Sequence, residues 1–194
     1  MRFVLSTGPD VEPITLQDVK AHLRITSSDE DAYLLSLIQV ARRSLEVLTG
    51  RAFIQRTVYG YLDTFPEGRV IEIPLAPVSA LTSVSYVASD ETTATYTLLS
   101  TAYYTGDVIS QPPRIIRTYG VSWPSTWKEG NAVQILFTAG YGLGAPSVPA
   151  DLRHAMLMLV GHWYTVRQPL LTSPGGTMEV PKGIEYLALP HKLW

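Results

Sequence analysis

Apolar and polar positions along the chain change their period twice. In "ITLQDVKAHLR", Thr15 stands just before the first periodic residue and Asp18 three positions after it, the spacing of a capping box, while Ile14 and Val19 form a hydrophobic staple. The pattern predicts a first helix over residues 16–24. A longer one follows in "TSSDEDAYLLSLIQVARRSLEVLTG", which opens on Ser and acids suited to the positive end of a helix and stops at Gly50, suited to a left-handed cap. Its apolar residues make two adjoining stripes, Leu34, Ile38, Ala41, Leu45, Leu48 and Leu37, Val40, Val47. That arc is wider than one neighbouring helix covers, so something besides the first helix must pack on it. Either its own domain encloses it, or a subunit interface takes one stripe.

Residues 3–5 read as a short strand, and across residues 53–141 the period becomes that of β-structure. The pieces "FIQRTVYGYLDTF", "RVIEIPL", "LTSVSYVAS", "TYTLL", "AYYTG", "PRIIRTYG" and "NAVQILFTAGYG" predict six or seven antiparallel strands, bounded by Pro74, Pro77, Pro112 and Pro113. Helical spacing returns in "VPADLRHAMLMLVGHWYTVRQ", with Pro149 in the first turn and Leu152, Ala155, Met156, Leu159, Trp163 and Val166 facing inward. A Gly- and Pro-rich loop then leads to the apolar "IEYLALP" and the tail "HKLW". The expected fold is α+β in a single domain, 1–194. A helical core over 13–50 and 147–168 is interrupted by an antiparallel β-rich insertion over 53–141, and an arm covers 179–194.

Composition narrows the functional classes. With 194 residues the chain buries a sizeable core, and the absence of Cys removes disulfides, thiolate metal sites and cysteine nucleophiles. Only 16% of residues are charged, against about a quarter in typical domains, and the net charge is −2, which argues against sequence-specific DNA binding. Apolar residues at 46%, with eleven Tyr and four Trp, fit either a dry monomer core or a surface covered by partners. No apolar run reaches the roughly 18 residues of a membrane span, and the amino terminus has too short an apolar core for a secretion signal.

Candidate chemistry is sparse. His154 and His162 stand eight positions apart, not at the helical spacing that shares a zinc ion, and no G-x-S-x-G elbow nominates a nucleophile. "GYGLGAP" lacks the glycine spacing of a phosphate loop and reads as a β-to-α connection. No cofactor or metal is implied. Trp123 and Trp127 in "VSWPSTWKEG" form either a contact loop or a hairpin folded over the core edge. Arg42 and Arg43, with Glu46, either line a ring interface or DNA passage or make a solvated helix face. The apolar set Ile184, Tyr186, Leu187, Leu189 and Trp194, broken by Pro190, is either packed on its own domain or offered to a neighbour.

The stretches "ITLQDVKAHLRI", "DEDAYLLSLIQVARRSLEVLTGRAFIQRT", "LAPVSALTSVSYV", "SWPSTW", "VQILFTAGYG", "VPADLRHAMLMLVGHWY" and "LPHKLW", in this order, closely resemble the head-tail connector, or adaptor, proteins of long-tailed bacteriophages and gene transfer particles. The resemblance implies a non-enzymatic virion protein that forms a ring, normally twelve-fold, below the portal of a DNA-filled capsid. Such a ring is assembled in the bacterial cytoplasm, continues the channel for double-stranded DNA and receives the stopper or tail. The resemblance also implies that the carboxyl-terminal segment, residues 184–194 here, reaches to the portal, with no membrane partner. The alternatives are another neck protein, a stopper or tail terminator, or a small hydrolase using His154 or His162.

Overall fold

The computed structural model describes residues 2–5, 8–89, 95–98, 103–107, 112–127, 130–167 and 182–193. The chain forms two compact units that alternate along the sequence. A helical unit takes Asp10–Ile54 and Gly142–Lys192, and a strand unit takes Met1–Pro9 and Gln55–Tyr141. The α+β class expected from the sequence is the class observed.

The helical unit contains α1 (Leu16–Leu23), α2 (Asp31–Thr49), α3 (Ala150–Thr165) and α4 (Lys182–Ala188), the last followed by a 3-10 turn at Leu189–His191. The capping box forms as spaced: Asp18 N donates to Thr15 Oγ1 at 3.1 Å, and Thr15 N donates to the Asp18 carboxylate at 2.9 Å. Those bonds from Thr15, backbone first, hold the Asp18 carboxyl below its ordinary range. Ile14 and Val19 of the staple are both buried. The helix stops at Leu23, one residue short of the predicted end, because Arg24 adopts the left-handed conformation at φ 57°. Gly50 closes α2 in the same way at φ 70°, as its position predicts.

Helix α2 touches α1, α3 and α4. Leu34, Ile38, Ala41 and Leu45 are at most 1% exposed, and Leu37 joins them at 9%. The predicted second stripe divides, for Val40 is 51% and Val47 72% exposed. Helical geometry accounts for this. At about 100° per residue Leu37 lies roughly 60° from Leu34, whereas Val40 and Val47 lie roughly 120–140° away, past the reach of the covering helices. On α3, Leu152, Ala155, Met156 and Leu159 are buried as expected and Val160 joins them. Trp163 and Val166, expected inward, are only half-buried, and Pro149 is the N-cap rather than a first-turn residue.

The strand unit contains β1 (Arg2–Leu5), β2 (Arg56–Leu62), β3 (Val70–Glu72), β4 (Val78–Val87), β5 (Thr95–Thr97), β6 (Tyr103–Asp107), β7 (Arg114–Arg117) and β8 (Val133–Ala139). Among the described residues they form two antiparallel sheets, ordered β1-β2-β8-β4-β5 and β3-β7-β6. Strand β8 is central in the larger sheet, and Val133, Ile135, Phe137 and Ala139 alternate inward with none exposed. Val58 of β2 and Leu81 of β4 lie opposite Phe137. The prolines bound strands as predicted: Pro113 O accepts from Ile73 N at 2.8 Å, and Pro77 O from Gly140 N at 2.9 Å.

Thr15→Ala removes the cap of α1. It is expected to cost about 1 kcal/mol and to lower the thermal midpoint by roughly 2–4 °C, with Thr15→Ser close to the parent, as read by circular dichroism on heating.

Candidate interaction surfaces

Of the two arginines singled out on α2, only one is a surface group. Arg42 Nε donates to Glu12 at 2.8 Å and its Nη1 to Glu46 at 2.9 Å, one helical turn on. Glu46 is 8% exposed, and its other carboxylate oxygen accepts from Phe53 N at 2.9 Å. The pair therefore fastens the end of α2 to the segment that follows it. Arg43, the next residue, is exposed. It shares its surroundings on the helix with exposed Val40 and Val47.

The motif "GHWYTVRQ" resolves into a clamp. Tyr164 Oη donates to the Glu30 carboxylate at the start of α2, and the Arg167 guanidinium bonds the same carboxylate. Arg167 also lies over the rings of Tyr33 and Tyr164, 5.1 and 4.8 Å from their centres. The Tyr164 hydroxyl, with Arg167 beside it, holds the Glu30 carboxyl below its ordinary range, and Glu30 in turn pushes the Tyr164 hydroxyl and Arg167 up. His162 is half-buried on α3. Among the described residues no three His, Cys, Asp or Glu side chains gather to hold a metal, and no helix is long and apolar enough to cross a membrane.

At the carboxyl end, α4 splits the apolar set predicted there. Ile184 is buried at 1% and Leu187 half-buried, both within the helical unit, whereas Tyr186 is 72% and Leu189 51% exposed. Trp194 lies outside the described residues. The segment is tied down by polar bonds. His191 Nε2 meets the Asp151 carboxylate at 2.6 Å, and Arg51 Nε donates to His191 O. Burial pushes the Asp151 carboxyl up, but the bonds from His191 and from Leu152 N outweigh it and leave it below the ordinary range. The apolar side chains left exposed here are Tyr186 on α4 and Leu189 at the start of the 3-10 turn.

In the strand unit, Trp123 stacks on Phe65 with ring centres 4.9 Å apart and donates from Nε1 to Gly68 O at 2.8 Å. Phe65 continues to Tyr86 and Tyr86 to Tyr96, each pair 5.8 Å apart. Trp127 N donates to Val87 O at 2.9 Å, and Thr126 bridges to Ala88, so the loop is pinned along β4. Trp123 thus packs within its own unit, and the backbone of Trp127 is fixed there. Sequence reasoning missed Glu30, Glu12, Asp151 and His191, because their partners lie 30 to 137 positions away and carry no local spacing signal.

Residues 13–108 match the family model of phage gp6-like head-tail connector proteins, a stretch that includes α1, α2 and strands β2 to β6. Solved structures are similar over nearly the whole chain. A chain in the neck of an empty gene transfer agent particle, computed with sixfold symmetry, is 26% identical, with a TM-score of 0.77 over 99% of this chain and 95% of that one. Two more share the fold at 24% identity and the same coverage. One is from the virion of a native gene transfer agent particle, with a TM-score of 0.76, and one is from the neck of the native particle computed with twelvefold symmetry, at 0.74. No curated protein matches the chain.

Arg42→Ala removes one of the partners of the buried Glu46 and is expected to lower stability by about 1–3 kcal/mol, while Arg43→Ala stays within about 0.5 kcal/mol, both read from thermal melts. Equal effects of the two would remove Arg42 from its structural role. Glu30→Gln is expected to lower the thermal midpoint at neutral pH. Because the folded Glu30 carboxyl is depressed, its contribution is present above the ordinary value of 4.5 and is lost as pH falls through the folded value. The gap between variant and parent should therefore close on acidification.

Proposed function

We propose that this chain, which belongs to the phage gp6-like head-tail connector family, is the ring-forming subunit that joins a DNA-filled head to its tail. The observation that carries this reading is the full-length likeness, at 26% identity, to a chain in the neck of a gene transfer agent particle. Its place is the particle neck, and its role is structural: it extends the channel below the portal, lets double-stranded DNA through and receives the next neck protein. The twelvefold symmetry of one related neck supports a dodecamer.

The surfaces fit such a role. A closed ring needs two different contact patches on each subunit, because head-to-tail contacts are heterologous. The exposed apolar side chains of the helical unit include Val40 with Val47 on α2, and Tyr186 on α4 with Leu189 just after it. In this reading the α2 face, with Arg43 at its side, meets the neighbouring subunit. Tyr186 and Leu189, with Trp194 beyond them, dock on the portal, and Ile184 and Leu187 anchor that arm from within. The low charge suits a conduit, since a strongly basic wall retards DNA that must slide.

Electron microscopy of the protein mixed with portal rings tests the assignment. The expected result is a second ring, stacked on the portal with twelve subunits. A protein that leaves portal rings bare, or forms only a stable two-fold dimer, would sink the reading. Tyr186→Ala combined with Leu189→Ala is expected to weaken portal binding by roughly tenfold or more, with little change in the thermal midpoint because both side chains are exposed.

A further inference from the structure

Helices α1 and α3 flank an open cleft of about 400 Å³ whose lining includes Asp18, Ala21, His22, Arg153, His154 and Leu157. Helix α1 supplies His22 and α3 supplies Arg153 and His154, and the two imidazoles meet edge to face with ring centres 6.3 Å apart. Arg153 Nε is shielded from water and has no hydrogen-bond acceptor among the described residues. A guanidinium offers five donors in a fixed fork that matches a carboxylate, and buried donors in native proteins are rarely left without a partner. Asp18 is the one carboxylate in the lining, and its Oδ2 already accepts from Thr15 N and Thr15 Oγ1. It tempers the charge of Arg153 without giving Nε an acceptor.

We infer that this cleft recognises a single carboxylate carried on an aliphatic stem by another protein, a Glu or Asp side chain seated against Arg153, His22 and His154. Charge and wall chemistry select this anion over others. A DNA backbone brings a row of phosphates and would set some of them against Asp18, whereas a lone carboxylate needs one cation and a few donors. Ala21 and Leu157 give the methylene stem an apolar wall. An unbonded Nε recurs in the strand unit at Arg114, whose Nη2 already donates to Glu72, and at Arg117, where the cleft contains Glu67 and no second basic or imidazole group.

The test uses the full chain with its histidine rings labelled for NMR. It is titrated with a capped peptide of Ala and Leu bearing one central Glu, with the Gln counterpart, with inorganic phosphate and with a short DNA duplex. The Glu peptide should move the His22 and His154 signals saturably and leave His162 in place. The Gln peptide, phosphate and DNA should each be weaker by at least about tenfold. Arg153→Gln should abolish the response. If that variant melts early, Arg153→Lys keeps the charge but not the fork and should weaken binding severalfold. A Gln peptide that binds as well as the Glu peptide, a stronger response to DNA or phosphate, or undiminished affinity in both Arg153 variants overturns the assignment. The titration reads the isolated chain, so it succeeds or fails independently of ring formation on a portal.

Discussion

The stripe of Leu34, Ile38, Ala41 and Leu45 has to leave water, and the other helices of its unit are placed by that requirement. Helices α1, α3 and α4 all touch α2, and those four side chains are essentially unexposed. Burying Leu34, Ile38 and Leu45 contributes roughly 5–9 kcal/mol before the entropy of ordering the chain is subtracted. Because the covering helices take one side of α2 only, the same packing that builds the core leaves Val40 and Val47 outside it. Core and candidate interface are two sectors of one helix.

Polar side chains refine what burial sets roughly. Glu46 binds Arg42 one turn before it and Phe53 N beyond the helix end, while Glu30 at the other end of α2 receives Tyr164 and Arg167 from the end of α3. His191 and Asp151 hold the last turn of the unit to the start of α3. Each contact joins an element terminus, where backbone groups lack helical partners and geometry is least determined by apolar packing. The helical unit is therefore fixed in its middle by volume and at its ends by charge.

What was legible in the sequence follows the same division. Periodicity and caps located α1, α2 and α3, because Thr15, Asp18 and Gly50 act on neighbours a few positions away. Alternation and prolines located the strands, and β8 alternates as its apolar positions require. The order of strands in the two sheets was not legible, since pairing of β2 with β8 or β3 with β7 joins positions far apart in the chain. The surfaces were only half legible. Val40 reads as core beside Leu37, and Ile184 reads like Leu189, until the covering helices decide which side of each helix meets water. Arg42 and Arg43, adjacent and chemically alike, are told apart by the partners of Arg42: Glu46 one turn on and Glu12 thirty positions before it.

The alternation of units along the chain sets an order in time. Helix α2 cannot be covered by α3 until the strands between them, Gln55–Tyr141, have been made. For equilibrium stability this detour matters little, because doubling a loop adds only about 0.6 kcal/mol of closure entropy. Synthesis is different. At roughly 5–20 residues per second, the apolar stripe of α2 stands uncovered for several seconds while a second unit is completed ahead of its partner. Leu34, Ile38 and Leu45 are therefore most vulnerable to a wrong partner in the nascent chain, and the mature particle inherits a helix that spent its first seconds waiting.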